Sequence, residues 1–309
     1  MSILVHGGAY GDAVTEGLRR AAPTEDFTTS REPDGIPDDA DVLVTLLDEP
    51  AAVPPLLRPS IRWVHVLGAG VDGFPLDVLG DRVLTCSRGA ASPAIAEWVL
   101  AMMLAFEKDL PNSWISTPPA RWNHATLGGL SGRTLGLVGV GAIGSAVAHR
   151  ALAFDVQVLA CRRTPAPLKV PGVELTSDLE ELLPRSDHVV VAAPATPETF
   201  HLFDHSAFAH CKPGMHLVNI SRGGLIDQEA LRVALDTHVV ARASLDTVDP
   251  EPLPPGHWLY EHPAVRLSPH ISWSSRTTLQ RTFAMFIDNL RRFRRGESLL
   301  GVVDPIAGY

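Results

Sequence analysis

Hydrophobic and polar positions along the chain switch between two periods almost from end to end. Short apolar, β-rich runs read as strands: Ile3-Leu4-Val5, Asp41-Val42-Leu43-Val44-Thr45, Ile61-Arg62-Trp63-Val64-His65-Val66 and Arg82-Val83-Leu84-Thr85-Cys86. After the first, a Gly-rich turn leads into a helical pattern over Asp12 to Arg20. A longer helix is expected from Ser92-Pro93, with Ser92 as N-cap and Pro93 at the first helical position. Ile95, Val99, Met102, Met103 and Phe106 form its apolar side, and Pro111 ends it. A Pro-, Trp- and Asn-containing loop follows, Pro111 to Leu127, and then the alternation restarts. The strand Thr134-Leu135-Gly136-Leu137-Val138 leads into glycines, a helix to about Phe154 and the strand Val156-Gln157-Val158-Leu159-Ala160. His188 to Ala193 and His216 to Ile220 have the nearly continuous apolar character of strands covered on both faces. A last amphipathic helix is expected over Ser275 to Arg294, with Leu279, Phe283, Phe286, Ile287 and Leu290 inward.

Strands separated by helices imply right-handed crossovers and parallel sheets. The restart near residue 130 then divides the chain into two Rossmann-like α/β lobes. A length of 309 residues fits two domains, and no repeat at solenoid spacing interrupts the pattern. Hydrophobic residues at 45% and charged ones at 20% supply enough apolar material for two cores. The formal charge of −9, from 35 acids against 26 bases, makes a nucleic-acid backbone a poor partner. Arg291-Arg292 and Arg294-Arg295 read as a solvated helix face. Apolar stretches fall short of the roughly 20 residues of a membrane span. Met1 to Gly7 lacks a basic start and runs into a strand, so neither a membrane protein nor a secreted one is expected. Cys86, Cys161 and Cys211 are odd in number and far apart, which disfavours a disulfide framework or a four-cysteine zinc site and fits a reducing cytoplasm. The histidines form no metal-ligand cluster, so no metal is expected.

Gly139-Val140-Gly141-Ala142-Ile143-Gly144 follows a strand and opens a helix carrying Val147, Ala148 and Leu152. That is the dinucleotide fingerprint in its proper context, with the pyrophosphate expected at the helix N-terminus. About 20 positions on, an acid normally meets the adenosine ribose. Here the strand ends in Cys161-Arg162-Arg163-Thr164, with no acid until Glu174. Two guanidinium groups and a hydroxyl suit a 2′-phosphate, so NADP(H) is favoured over NAD(H).

Four further segments follow in order: Ala193-Pro194-Ala195-Thr196-Pro197-Glu198-Thr199, Val218-Asn219-Ile220-Ser221-Arg222-Gly223-Gly224-Leu225-Ile226-Asp227, Ser244-Leu245-Asp246-Thr247-Val248-Asp249-Pro250-Glu251-Pro252, and Ser268-Pro269-His270-Ile271. Upstream stand Gly68-Ala69-Gly70-Val71-Asp72-Gly73 and Ala96-Glu97. With these motifs nearly the whole chain resembles the D-isomer-specific 2-hydroxyacid dehydrogenases, a family that includes glyoxylate/hydroxypyruvate reductases and phosphoglycerate dehydrogenases. The resemblance implies a cofactor lobe (residues 99–275) inserted into a flavodoxin-like substrate lobe (1–98 with 276–309). It places the active site between them, returns the last helix to the first lobe and makes the protein a homodimer built through the cofactor lobe. It makes Arg222 the clamp on the substrate carboxylate, His270 the general acid/base and Glu251 its partner. The amides of Ala69, Gly70 and Val71 would bind the substrate carboxylate. Gly139, Gly141, Ala142, Ile143, Gly144, Arg162, Arg163, Thr164, Pro194, Thr199, Ile220, Ser221 and Asp246 would hold the cofactor.

Independently of the resemblance, reducing a 2-oxo acid needs a proton donor for the developing alkoxide and a planar cation for the carboxylate. A histidine oriented by a carboxylate supplies the first and an arginine the second. The expected function is therefore an NADP(H)-preferring reductase of a small 2-oxo acid. The competing readings are a dinucleotide-sensing protein without catalysis and a dehydrogenase of formate or phosphite. Trp273 either walls the pocket or fills the lobe interface. Asp155 stands where the family has glycine, which predicts an altered turn.

Overall fold

The computed structural model describes residues 2–30, 36–47, 50–163, 168, 170–305 and 308. They form two compact units: residues 1–91 with 275–309, and residues 92–274. In the first unit β1 (Ser2–His6), β2 (Phe27–Thr29), β3 (Ala40–Thr45), β4 (Trp63–Val66) and β5 (Val83–Cys86) form a parallel sheet in the order β2-β1-β3-β4-β5. This is the flavodoxin-like order. Because side chains alternate across a strand, Ile3, Val5, Val42, Val44 and Trp63 enter one core. Leu4, Leu43, Val64, Val66 and Leu84 enter the core on the opposite face. Helix α1 (Gly11–Ala21) covers the first of these with Val14 and Leu18.

His65 of β4 is fully buried, with Nδ1 2.7 Å from Thr85 Oγ1 and Nε2 3.1 Å from Ser87 Oγ. Burial pushes its pKa from 6.5 down to about 3. Unfolded, the ring takes up a proton below about pH 6.5; folded, it stays neutral until far lower. Stability is therefore complete above pH 6.5 and falls as pH drops toward 3, by about 2 kcal/mol at pH 5 from this residue. Urea midpoints between pH 7 and pH 5 should show this decline in the wild type and a shallower one in His65→Asn. Equal slopes would contradict it.

The chain then enters the second unit through α2 (Ser92–Glu107). Ser92 does not cap this helix as expected: its hydroxyl is buried with no partner among the described residues. Residues 108–129 form turns and coil, with Trp114 72% and Trp122 75% exposed. The unit continues through β6 (Thr134–Val138), α3 (Ala142–Leu152), β7 (Gln157–Cys161), β8 (Val173–Leu175), α4 (Leu179–Leu182) and β9 (His188–Val191). Then come α5 (His205–Ala209), β10 (Met215–Asn219), α6 (Gln228–Asp236), β11 (Val240–Leu245) and β12 (Val265–Leu267). All seven strands are parallel, in the order β12-β11-β10-β9-β6-β7-β8. The order reverses direction between β6 and β9, the switch point at which an open α/β sheet presents its ligand crevice. Asp155, between α3 and β7, has φ +57°, so the turn keeps the left-handed conformation in which glycine is commonest.

A buried polar chain ties α2 to this sheet. Arg133 Nε lies 3.1 Å from Glu107 Oε1, which accepts from His188 Nε2 at 3.1 Å. His188 Nδ1 is 3.1 Å from His216 Nδ1, and His216 Nε2 is 2.9 Å from Ser244 Oγ. Burial, with the His188 and Arg242 charges, holds the pKa of His216 well below its ordinary value.

The chain returns to the first unit with α7 (Thr278–Arg295), whose Phe286 stacks on Trp63 at 5.4 Å between ring centroids. Its buried stripe is Thr278, Thr282, Phe286, Asn289 and Leu290. Leu279, expected inward, is 54% exposed, because it sits about 100° around the helix from Thr278. Among the described residues no helix is long and apolar enough to cross a membrane.

Candidate active site

The glycines after β6 each have a different physical reason. Gly139 has φ +95°, and a Cβ there would lie 2.7 Å from the Ala193 nitrogen. A Cβ on Gly144 would lie 2.4 Å from the Gly139 carbonyl oxygen, so α3 can approach the turn only without one. Gly141 differs: its φ of −84° suits any residue, and a Cβ would meet nothing within 4 Å. Internal packing does not require this glycine, whereas close approach of a pyrophosphate to the backbone does. Gly141 is also the N-cap of α3 and makes no side-chain cap, and Ala142 and Ile143 begin the helix with their N–H groups at its positive end. The residues present therefore fit a dinucleotide.

At the end of β7, Arg162 is half-buried, and its Nε and Nη2 are buried with no partner among the described residues. Arg163 is exposed. The Thr196 hydroxyl, with Arg163 as a lesser cause, holds the Glu198 carboxyl below its usual range. Thr164 lies outside the described residues.

The turns after β6, β9 and β10 meet. Gly139 packs on Ala192 and Ala193, and Ser221 Oγ donates to the Ala193 carbonyl. Pro194 is exposed at the mouth of the β9 turn. Thr199 turns inward to its own loop: Oγ1 donates to Pro194 O at 2.7 Å and accepts from Thr196 N at 2.8 Å. Ile220 is buried beneath. Asn219 braces the next turn, its Oδ1 accepting from Ser221 N at 3.1 Å and its Nδ2 donating to Arg222 O at 2.9 Å. Arg222 leaves this brace with its Nη1 donating to Ser221 O at 2.7 Å.

Glu251 and His270, 19 residues apart, are in direct contact: Nδ1 donates to Glu251 Oε1 at 2.7 Å. The ring is partly exposed, and Nε2 has no partner among the described residues. His270 has φ +53°, a left-handed conformation that costs a non-glycine residue about 1–2 kcal/mol. Asp246 holds it there. Its carboxylate accepts from Ser268 Oγ, from Ile271 N at 2.9 Å and from Ser272 N at 2.9 Å, and its carbonyl accepts from His270 N at 3.0 Å. Both oxygens of Asp246, expected at the cofactor, are thus engaged by the histidine loop. Trp273 Nε1 donates to His270 O at 2.8 Å, steadying the same loop.

In the first unit the turn after β4 is tied by Ser87 N donating to Gly68 O at 2.9 Å and Phe74 N to Val71 O at 3.0 Å. The N–H groups of Ala69, Gly70 and Val71 donate to no backbone acceptor among the described residues. Successive amides without a backbone acceptor suit an anion. Sequence reasoning missed Asn219 and the loop-holding role of Asp246, although both lay inside quoted motifs: Asn219 braces residues two and three positions on, a turn its motif could have signalled, whereas the partners of Asp246 are more than 20 residues away.

Residues 100–272 match the family described as "D-isomer specific 2-hydroxyacid dehydrogenase, NAD binding domain". Over 271 residues the chain is 33% identical to a glyoxylate reductase of Thermofilum pendens, covering 84% of this chain and 80% of that one. It is 33% identical over 252 residues to a D-3-phosphoglycerate dehydrogenase of Bacillus subtilis, covering 79% of this chain but 47% of that protein, about half its length. A D-isomer specific 2-hydroxyacid dehydrogenase from Xanthobacter autotrophicus Py2, solved with NADPH and MES, superposes with a TM-score of 0.86 at 29% identity over 100% of this chain and 99% of that one.

Proposed function

The chain belongs to the D-isomer specific 2-hydroxyacid dehydrogenase family, and on that premise we propose that it is an NADP(H)-preferring reductase of a small 2-oxo acid such as glyoxylate or hydroxypyruvate. Membership makes it an oxidoreductase using a nicotinamide dinucleotide, which supplies the hydride when bound. The observation that carries the catalytic reading is the Glu251–His270 pair, oriented through Nδ1 with Nε2 left to face a substrate. His270 Nε2 gives its proton to the carbonyl oxygen as negative charge develops there, and Glu251 fixes the ring's direction. Arg222 grips the substrate carboxylate with its planar fork, and in the first unit the Ala69-Gly70-Val71 amides offer neutral donors of the kind that suit a carboxylate.

Residues 92–274 act as the cofactor domain and residues 1–91 with 275–309 as the substrate domain. Gly139, Gly141, Ala142, Ile143 and Gly144 carry the pyrophosphate, while Pro194, Ile220 and Ser221 shape the bed along the adjoining turns. Arg162, with Arg163 and Thr164, takes the 2′-phosphate. In support, Arg162 holds two buried guanidinium nitrogens without a partner among the described residues, and a relative of the same family was solved with NADPH. The same reading includes a homodimer using the segment after Leu110 (Pro111 to Leu127), supported by its exposed Trp114 and Trp122, since aromatic side chains are enriched at interfaces. It also includes a cytoplasmic location, in keeping with the free thiols of Cys86, Cys161 and Cys211.

The test is consumption of NADPH, and separately of NADH, with glyoxylate, hydroxypyruvate, pyruvate and phenylpyruvate. Turnover of at least one acid with a clear NADPH bias is expected. Tight NADPH binding with no turnover of any of them would instead make the protein a dinucleotide sensor.

A further inference from the structure

Behind the Arg222 turn lies a small cavity of about 10 Å³, lined by Asn219, Gly223, Gln228, Leu231, Leu245 and Thr247 among others. Two of its lining residues carry polar atoms, Gln228 Oε1 and Thr247 Oγ1, that are buried with no partner among the described residues. Buried polar groups without a partner are destabilising, and the space is about that of one water molecule. We infer that a single bound water bridges Thr247 Oγ1 and Gln228 Oε1, and that these two side chains are positioning residues for Glu251 and the Arg222 turn. The inference rests on the catalytic reading above.

The geometry connects both halves of the site to this cavity. Gln228, the first residue of α6, uses its other amide atom to donate from Nε2 to the Asp249 carbonyl, two residues before Glu251. Thr247 directly follows Asp246, which holds the His270 loop. On the opposite wall, Asn219 Nδ2 holds the Arg222 carbonyl. Gly223 packs so tightly against the facing segment that a Cβ would lie 1.9 Å from the Val248 carbonyl carbon. A water donating one hydrogen to Gln228 Oε1 and exchanging the other hydrogen bond with Thr247 Oγ1 satisfies both groups. It locks α6 to the 246–249 segment, and that lock sets where Glu251 meets His270.

Thr247→Val keeps the shape of the side chain and removes the hydroxyl; Thr247→Ser does the reverse. Thr247→Val and Gln228→Leu should lower kcat about 10- to 100-fold, the cost of losing an outer positioning contact or of a displacement on the order of 1 Å. NADPH binding and the melting temperature should barely move in Thr247→Val, and Thr247→Ser should recover the lost rate. A high-resolution crystal structure of the wild type should show one water within hydrogen-bonding distance of both atoms. Wild-type turnover in Thr247→Val, failure of Thr247→Ser to recover the rate, or no water at that position would each overturn the inference. Glu251→Gln separates the two levels. If it is slow while Thr247→Val is normal, only the positioning role fails; if it turns over at the wild-type rate, the catalytic reading itself fails, and this one with it.

Discussion

Replacing His270 with asparagine is expected to lower kcat by about 10²–10⁴ while leaving NADPH binding intact. Asparagine is the informative choice for a structural reason. His270 sits at φ +53°, and asparagine is among the few residues that accept the left-handed region readily, so the loop keeps its course. Its amide can also still donate toward Glu251, replacing the 2.7 Å bond from Nδ1. What it cannot do is release a proton at neutral pH. The variant therefore removes the acid/base function and little else, and the loss should appear in kcat rather than in cofactor affinity. Steady-state rates with saturating 2-oxo acid, alongside a fluorescence titration with NADPH, measure both. Undiminished turnover would remove His270 from the chemistry.

Arg162→Asp should reverse the cofactor preference. The wild-type guanidinium holds Nε and Nη2 without partners among the described residues at the end of β7. A hydrogen bond to a charged group contributes about 1.5–3 kcal/mol, so losing two of them and adding a like charge should reduce kcat/KM for NADPH by about 10²-fold or more. NADH lacks the phosphate, and an aspartate there can accept from its ribose hydroxyls, so kcat/KM for NADH should hold or rise. The ratio of the two values is the measurement, because a general loss of folding lowers both together. A ratio that does not move would show that the 2′-phosphate lies elsewhere.

The long elements were legible because their periodicity spans many residues. Thr134–Val138 was read as found, and α1 and α2 were read to within a few residues at their ends. The strands Phe27–Thr29, Val173–Leu175, Val240–Leu245 and Val265–Leu267 escaped notice. Three of them have three residues, too few to show a period of two, and are outer strands that exist because a longer neighbour pairs with them; Val240–Leu245 lies inside the sheet, where Arg242 interrupts its apolar run. Leu279 shows the opposite limit: hydrophobicity marks a face only when the helix phase is known, and a stripe containing Thr278, Thr282 and Asn289 hides that phase. At the site, the family resemblance paired Glu251 with His270, and the structure joins them. Sequence reasoning did not reveal that Thr199 spends its hydroxyl on its own turn, or that Asp246 braces residues more than 20 positions away. The Thr199 bonds form a local capping box with Thr196 that the sequence reading passed over, whereas the Asp246 bonds are facts of three-dimensional closure that no local pattern encodes.

The chain from Ser244 to Glu107 has a direction. Two Nδ1 atoms 3.1 Å apart can share only one hydrogen, so the tautomers of His188 and His216 are not independent. Glu107 only accepts, which places a hydrogen on His188 Nε2. When both rings are neutral, His188 Nδ1 accepts from His216 Nδ1, and His216 Nε2 accepts from the Ser244 hydroxyl. Every donor points the same way, from β11 through β10 and β9 to α2. The wire has a single polarity, and turning any one of its members around requires turning all of them.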